Sequence, residues 1–221
     1  MSRRRALVTG GSGGIGTSIV RILTEKEIEV VAPPRSELNL ADRSSVSQYL
    51  KEGKEFDILI NNAGINHLCA VADLCLDNWD RTLEVNLTST AILMKGCIEG
   101  MRDRGWGRVI NIASIYGRVV RERRGIYSAT KAALIHLSKT VAVEEAPYGI
   151  LVNTVSPGFV DTPLTSQNNS PKVIAALESR IPLGRLAKPD EISRLIAFLC
   201  SEENTYLTGQ DLAIDGGFTI Q

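Results

Sequence analysis

Net charge is absent from this chain: 25 lysines and arginines balance 25 aspartates and glutamates in 221 residues. A balanced chain has no long-range pull on a polyanion, so composition makes no case for nucleic acid or a membrane surface and leaves a small molecule as the expected partner. Cysteine is sparse and unpatterned. Cys69, Cys75, Cys97 and Cys200 show neither CxxC pairing nor the Cys/His spacing of a zinc site. Reduced thiols packed in the core of a cytoplasmic protein, with no metal centre, are therefore expected. Long apolar runs are missing too. No stretch reaches the ~18 residues of a membrane span, and Ser2-Arg3-Arg4-Arg5 runs straight into a strand-like segment instead of the apolar region of a signal peptide.

What is present is alternation. Short apolar runs at 6–8, 28–32, 56–60, 108–112 and 150–155 read as strands, and longer periodic stretches at 14–26, 44–51, 78–102, 126–146 and 189–200 read as helices. Strands separated by helices imply βαβ units on a parallel sheet. With no repeat or linker to divide the chain, one α/β domain over residues 1–221 is expected, its sheet doubly wound with helices on both faces. A chain of this size buries roughly 70% of its unfolded surface, enough for a single core.

The first strand leads into Thr9-Gly10-Gly11-Ser12-Gly13-Gly14-Ile15-Gly16 and then a helix. Glycines in such a turn let the backbone approach a pyrophosphate held by the amides of the helix N-terminus. Two templates fit: Gly11, Gly13 and Gly16 match GxGxxG, while Gly10, Gly14 and Gly16 match TGxxxGxG. Further on, Tyr127 and Lys131 stand four apart on one helix face, where they can address one pocket. Ser114 follows the apolar run at 108–112, at the strand end where open α/β sheets place ligands.

Taken in order, Thr9–Gly16, Asn61-Asn62-Ala63-Gly64, Asn86, Ser114, Tyr127–Lys131 and Ser156–Thr162 closely resemble the classical short-chain dehydrogenase/reductase family. Within it the chain is most similar to 3-oxoacyl-acyl-carrier-protein reductases, and the resemblance extends through Gly209–Gly217. The resemblance implies a Rossmann-type sheet and hydride transfer between a nicotinamide and a carbonyl or secondary alcohol. Tyr127 would be the acid/base, Lys131 would lower the phenol pKa and bind the nicotinamide ribose, Ser114 would hold the substrate carbonyl, and Asn86 would hold a relay water. For Asn86, an asparagine inside a helical stretch, a local backbone role is a rival. Thr9, Gly10, Ser12, Gly14, Ile15 and Gly16 would meet the pyrophosphate. Asn61, Ala63 and Gly64 would wall the adenosine, and Asn39 and Leu40 would reach the adenine, Asn39 accepting through its amide oxygen. Pro157, Gly158, Val160 and Thr162 would shape the nicotinamide side, with residues 166–171 as a lid.

Cofactor choice turns on the end of the second strand, where an acid selects NAD and an arginine accommodates the phosphate of NADP. Pro33 replaces the acid and Arg35 follows, which favours NADP(H) over NAD(H), against the nearby Glu37. Between Ala32 and the helix near Ser44 there is too little chain for a helical crossover and a full parallel strand, so the third strand and its crossover helix should be shortened or lost. Arg118, Arg121, Arg123 and Arg124 crowd the loop before Tyr127, and guanidinium forks suit carboxylates and phosphates. At least one is expected to meet an anionic group of the substrate, against a solvated loop balanced by Glu122 or a subunit contact. A 3-oxoacyl thioester, free or carrier-bound, is the first substrate expectation; an anionic keto-sugar or keto-acid is the second. A catalytically silent nucleotide sensor is a reading of another class. The long helices carrying Asn86 and Tyr127 imply, by resemblance, a dimer or tetramer.

Overall fold

A computed structural model of the protein describes residues 3–53, 55–163, 165 and 170–221. Its strands are β1 (Arg5–Val8), β2 (Glu29–Val31), β3 (Ile58–Asn61), β4 (Gly107–Ile112), β5 (Ile150–Pro157) and β6 (Asp211–Ile214). They form one parallel sheet in the order β2-β1-β3-β4-β5-β6. The helices are α1 (Gly14–Glu25), α2 (Arg43–Lys51), α3 (Leu76–Leu83), α4 (Ser89–Arg104), α5 (Gly125–Glu145), α6 (Pro171–Glu178) and α7 (Pro189–Leu199).

Strand side chains alternate between faces, and this sorts the helices into two layers. Leu7, Leu59, Val109 and Val152 lie in register across the sheet and point to one face. There they meet Val46 and Tyr49 of α2, Leu93, Met94 and Met101 of α4, and Ala142 of α5. Their neighbours Ala6, Val8, Ile58, Ile60, Ile110 and Ile112 point the other way, onto Ile19, Ile22 and Leu23 of α1 and Ile192, Ile196 and Leu199 of α7. Each valine, leucine, isoleucine or methionine among them contributes about 1.5–3 kcal/mol by leaving water. A one-residue slip would exchange the faces, so burial fixes the register.

The abbreviated sheet expected from the sequence is what the structure has. Among the described residues no strand lies between β2 and α2. Instead the chain passes through Pro33 and Pro34, buries Leu38 and Leu40 in the α2 and α4 core, and caps α2 with Asp42, whose side chain accepts from Ser44 N–H. Ser89 of α4 donates its hydroxyl hydrogen bond to Leu40 C=O at 2.8 Å, holding this segment against the layer.

Three elements differ from the sequence reading. The helix expected over 78–102 starts at Leu76 and is interrupted at Glu84–Thr88 by a π-helical turn. β6 is only four residues long and begins with an acid, too short a run to stand out. The lid expected at 166–171 falls partly outside the described residues, and its last two residues start a helix: Ser170 caps α6 by accepting from Val173 N–H, and Pro171 opens it. Of the cysteines, Cys97 and Cys200 pack in the core, where burial pushes both thiols up to about 12. Cys75 is exposed and Cys69 half-buried, so core packing accounts for two of the four.

Candidate active site

All the motif segments converge on the C-terminal edge of the sheet. The turn after β1 shows which glycine pattern the fold requires. Gly10 has φ +66°, a left-handed conformation that disfavours side chains. A Cβ at Gly16 would stand 2.0 Å from Gly10 C=O, and one at Gly14 would meet Thr162 at 2.6 Å. At Gly13 a Cβ would find only ordinary contact at 3.5 Å. A Cβ at Gly11 would stand 2.6 Å from the Ala32 side chain. The turn therefore demands Gly10, Gly11, Gly14 and Gly16. Of the GxGxxG glycines only Gly13 is dispensable, which leaves TGxxxGxG as the pattern met in full. Gly13 caps α1 without any side-chain acceptor, so the first amides of a 12-residue helix stay open to an anion. These are the features a dinucleotide pyrophosphate fits.

Thr9 ties the turn to the segment after β3. Its hydroxyl oxygen accepts from Asn62 N–H at 3.0 Å and Ala63 N–H at 3.1 Å, while Asn62 Nδ2 donates to Thr9 C=O and Gly10 C=O. Asn62, not Asn61, is thus the asparagine at the turn. Asn61 lies in phase with Leu59 on β3 and points into the sheet face. There its Nδ2 donates to Asn111 Oδ1 at 2.8 Å, and Asn111 donates to Ser138 of α5, also at 2.8 Å. This corrects the expectation that Asn61 walls the adenosine.

Beside the turn lies a cleft of about 200 Å³ whose lining includes Thr9, Gly10 and Ser12, Arg35 and Asn39, Leu40, Ala63 and Gly64, with Ile65, Val85 and Arg81 added. Arg35 and Arg81 are exposed and form no salt bridge with a described carboxylate. Arg35 Nε donates to Asn39 Oδ1 at 3.3 Å, and the same oxygen takes Ala41 N–H at 3.2 Å. That oxygen is already engaged, which corrects the expectation that it accepts from an adenine; the guanidinium beside it is the open group. Ile15 sits at the α1 N-terminus, partly buried against the α1 and α7 core. Past β5, Pro157 ends the strand, and Gly158 is fixed by Asp215, 2.8 Å from where a Cβ would stand. Thr162 packs on Gly14. The Val160 side chain is buried in the same core, which leaves only its main chain for a ligand.

Tyr127 and Lys131 project from the first two turns of α5, beside Ser114 and Asn86. The Ser114 hydroxyl oxygen accepts from Tyr116 N–H at 3.1 Å, and Ser114 favours the ionised form of the Tyr127 phenol. Lys131 is 3% exposed and its Nζ donates to Ile112 C=O at 2.7 Å, 5.7 Å from the Tyr127 ring centre. Burial pulls its pKa down to about 8. Burial also pushes the Tyr127 phenol above its ordinary value, against the opposing pull of Ser114 and of the Arg124 charge. The sequence expectation of a phenol lowered by Lys131 is thereby reversed in this structure, because desolvation outweighs the charges around it.

Asn86 sits in the π-helical turn, a feature that often marks functional positions. Its Oδ1 accepts from Ile65 N–H at 2.8 Å, and its Nδ2 donates to Ile65 C=O at 2.9 Å and to Thr130 Oγ1 at 3.2 Å. The local backbone role raised as a rival is therefore present, and it clamps the segment after β3 to α5. A Cβ at Gly64 would stand 3.3 Å from Asn86 Oδ1 and 3.4 Å from Lys131 Nζ, so these three positions touch one space.

The four arginines before Tyr127 divide. Arg118 pairs with Asp211 of β6 at 2.5 Å, and Asp211 also accepts from Ser156, so this arginine holds the sheet edge. Arg123 has φ +63° and its carbonyl accepts Cys69 N–H, which joins two loops. Arg121 donates to the Tyr116 hydroxyl at 3.4 Å, and Arg124 lies 4.7 Å over the Tyr116 ring. Neither Arg121 nor Arg124 forms a salt bridge with a described carboxylate.

Residues 37–219 match the family model described as enoyl-(acyl carrier protein) reductase. The chain is 37% identical to an acetoacetyl-CoA reductase of Cupriavidus necator over 98% of both chains. It is 36% identical to the 3-oxoacyl-acyl-carrier-protein reductase FabG of Vibrio cholerae over 96% of both. Among solved structures, "ElxO with NADP Bound" superposes with a TM-score of 0.90 at 27% identity, covering 100% of each chain.

Proposed function

The chain belongs to the short-chain dehydrogenase/reductase family and is an NAD(P)-dependent oxidoreductase, and from that premise we propose that it reduces 3-oxoacyl thioesters with NADPH. The grouping of Ser114, Tyr127 and Lys131 beside the open N-terminus of α1 carries this reading. NADPH supplies the hydride when bound. Gly10, Gly14, Gly16 and the first amides of α1 would hold its pyrophosphate, Arg35 would take its 2′-phosphate, and Pro157, Gly158 and Thr162 would border the nicotinamide. Ser114 donates to the substrate carbonyl oxygen, where negative charge develops, and Tyr127 gives that oxygen its proton. A phenol held above its ordinary pKa stays protonated through neutral pH, which favours reduction; alcohol oxidation needs the phenolate and should climb toward alkaline pH. Lys131 holds the ribose hydroxyls and keeps positive charge near the phenol, while Asn86 fixes the backbone that borders the proton path.

The relatives described above, one acting on acetoacetyl-CoA and one on 3-oxoacyl carrier proteins, support the thioester. A keto-acid substrate is the second reading, favoured by the unpaired Arg121 and Arg124. A homodimer or homotetramer in solution is part of the proposal, by resemblance to the family and from the long helices that carry Asn86 and Tyr127. No helix among the described residues is long and apolar enough to cross a membrane. The test is NADPH consumption with a short 3-oxoacyl thioester beside a panel of keto-acids and keto-sugars, with Tyr127→Phe as control and sedimentation for the assembly. Thioester turnover that vanishes in the control is the expected result. Turnover of keto-acids alone would transfer the proposal to the second reading, and no turnover of any carbonyl would refute it.

A further inference from the structure

Tyr116 follows Ser114 by two residues, and its backbone N–H is held by the Ser114 hydroxyl. Its ring borders a second cavity, about 530 Å³, a size typical of small-molecule sites, also bordered by Arg121, Phe159, Arg180, Phe218 and Thr219. Its floor is aromatic. The Phe159 ring meets Tyr116 edge-on at 6.3 Å and Phe218 edge-on at 5.1 Å, arrangements that hold the three rings in fixed relation. Two guanidinia stand at its rim: Arg121, bonded to the Tyr116 hydroxyl, and Arg180, 5.5 Å over the Phe218 ring.

No aspartate or glutamate is among the residues that line this cavity, which also include Gln221, the last residue of the sequence. Neither Arg121 nor Arg180 has a salt bridge to a described carboxylate. Asp215, three residues before Phe218, turns its oxygens to Gly217 N–H, Thr219 N–H and the Thr219 hydroxyl. Two like charges beside an apolar floor repel one another, and an anion between them would reverse the sign of that energy. Arg180 lies between α6 and α7, far in sequence from the loop that carries Arg121. Only the fold brings the two to one cavity.

We propose that this cavity takes the anionic end of the substrate, a carboxylate or phosphate carried on an apolar body that lies over Phe159 and Phe218, with Arg121 and Arg180 as its paired recognition groups. The proposal rests on the carbonyl-reductase reading for the rest of the substrate, whose carbonyl would lie at Ser114 and Tyr127.

The test separates the two readings. Calorimetric titration of the NADP-loaded protein with coenzyme A, and separately with cyclohexanecarboxylate, measures anion binding without turnover. Binding of at least one probe is expected, weakened tenfold or more in Arg121→Met and Arg180→Met and largely kept in Arg180→Lys. A response to coenzyme A assigns a phosphate; a response to the acid assigns a carboxylate. KM should rise in parallel for acetoacetyl-CoA or 4-oxocyclohexanecarboxylate, with kcat held and the neutral acetoacetyl N-acetylcysteamine thioester far less affected. Failure of both probes to bind, unchanged affinity in both Met variants, or an equal rise in KM for the neutral thioester would overturn the proposal. Arginine-dependent probe binding in a protein that turns over no carbonyl would refute the proposed function and leave this site standing.

Discussion

At the edge where the strands begin, arginines are paired: Arg4 with Glu202, Arg5 with Glu29, and Arg104 with both Glu55 and Asp57. Even Arg108, 4% exposed at the start of β4, gives its N–H groups to Gly107, Gly149 and Asn204 carbonyls and lies 4.3 Å from the Trp106 ring, with Arg4 at 3.8 Å. At the edge where the strands end, Arg35, Arg81, Arg121, Arg124 and Arg180 border clefts or Tyr116 without a described carboxylate partner. A chain with no net charge is thus polarised from one edge of its sheet to the other. Paired arginines hold elements together; unpaired ones set a positive potential where anionic cofactor and substrate arrive.

The sharpest contrast comes from one variant at each edge. Tyr127→Phe should lower kcat/KM by about 10²–10⁴-fold, the usual worth of a positioned general acid, and leave the thermal midpoint within a degree or two of wild type. Arg108→Ala should do the reverse: on the order of 3 kcal/mol of stability lost, because buried carbonyls lose their donors, with kcat retained in denaturant-free buffer. A fall in kcat as large as the first variant's would break the contrast. Arg35→Ala should raise KM for NADPH about tenfold and leave KM for NADH unchanged, as expected of one charge-assisted contact to a phosphate. Equal effects on both cofactors would remove Arg35 from phosphate recognition.

The smallest effect concerns Lys131. Its folded pKa, about 8, lies below the 10.5 of the free side chain, so over that interval the unfolded chain binds more protons than the native one. Native stability relative to Lys131→Met should therefore climb by a few degrees in thermal midpoint as pH rises from about 8 toward 10. A flat difference across that window would show the ammonium to be better solvated than its burial implies.

Much of the fold was legible because it depends on local period. The strand runs at 6–8, 56–60, 108–112 and 150–155 each overlap a real strand, and the shortage of chain after Ala32 foretold the missing third strand. β6 was not legible, since Asp211-Leu212-Ala213-Ile214 is a strand only by virtue of pairing with β5. Asn61 and Asn62 are indistinguishable by motif. Strand parity separates them, since Asn61 shares the face of Leu59 and that signal was available in the sequence. Arg81 and Arg180 carried no such signal. Neither sits in a recognisable pattern, and both reach their clefts through packing.

What the sequence determined by itself was everything fixed by spacing along the chain: the helical face shared by Tyr127 and Lys131, the alternation that sorts two cores, and the glycines that open α1. What only the tertiary structure decided was partnership across long separations. Arg118 meets an acid 93 residues away and becomes a structural brace, while Arg121, three positions on, meets none and borders a cavity. Covalent geometry sets the first kind of relation within a turn or a pleat. The second depends on which surfaces burial presses together, and no local pattern encodes it.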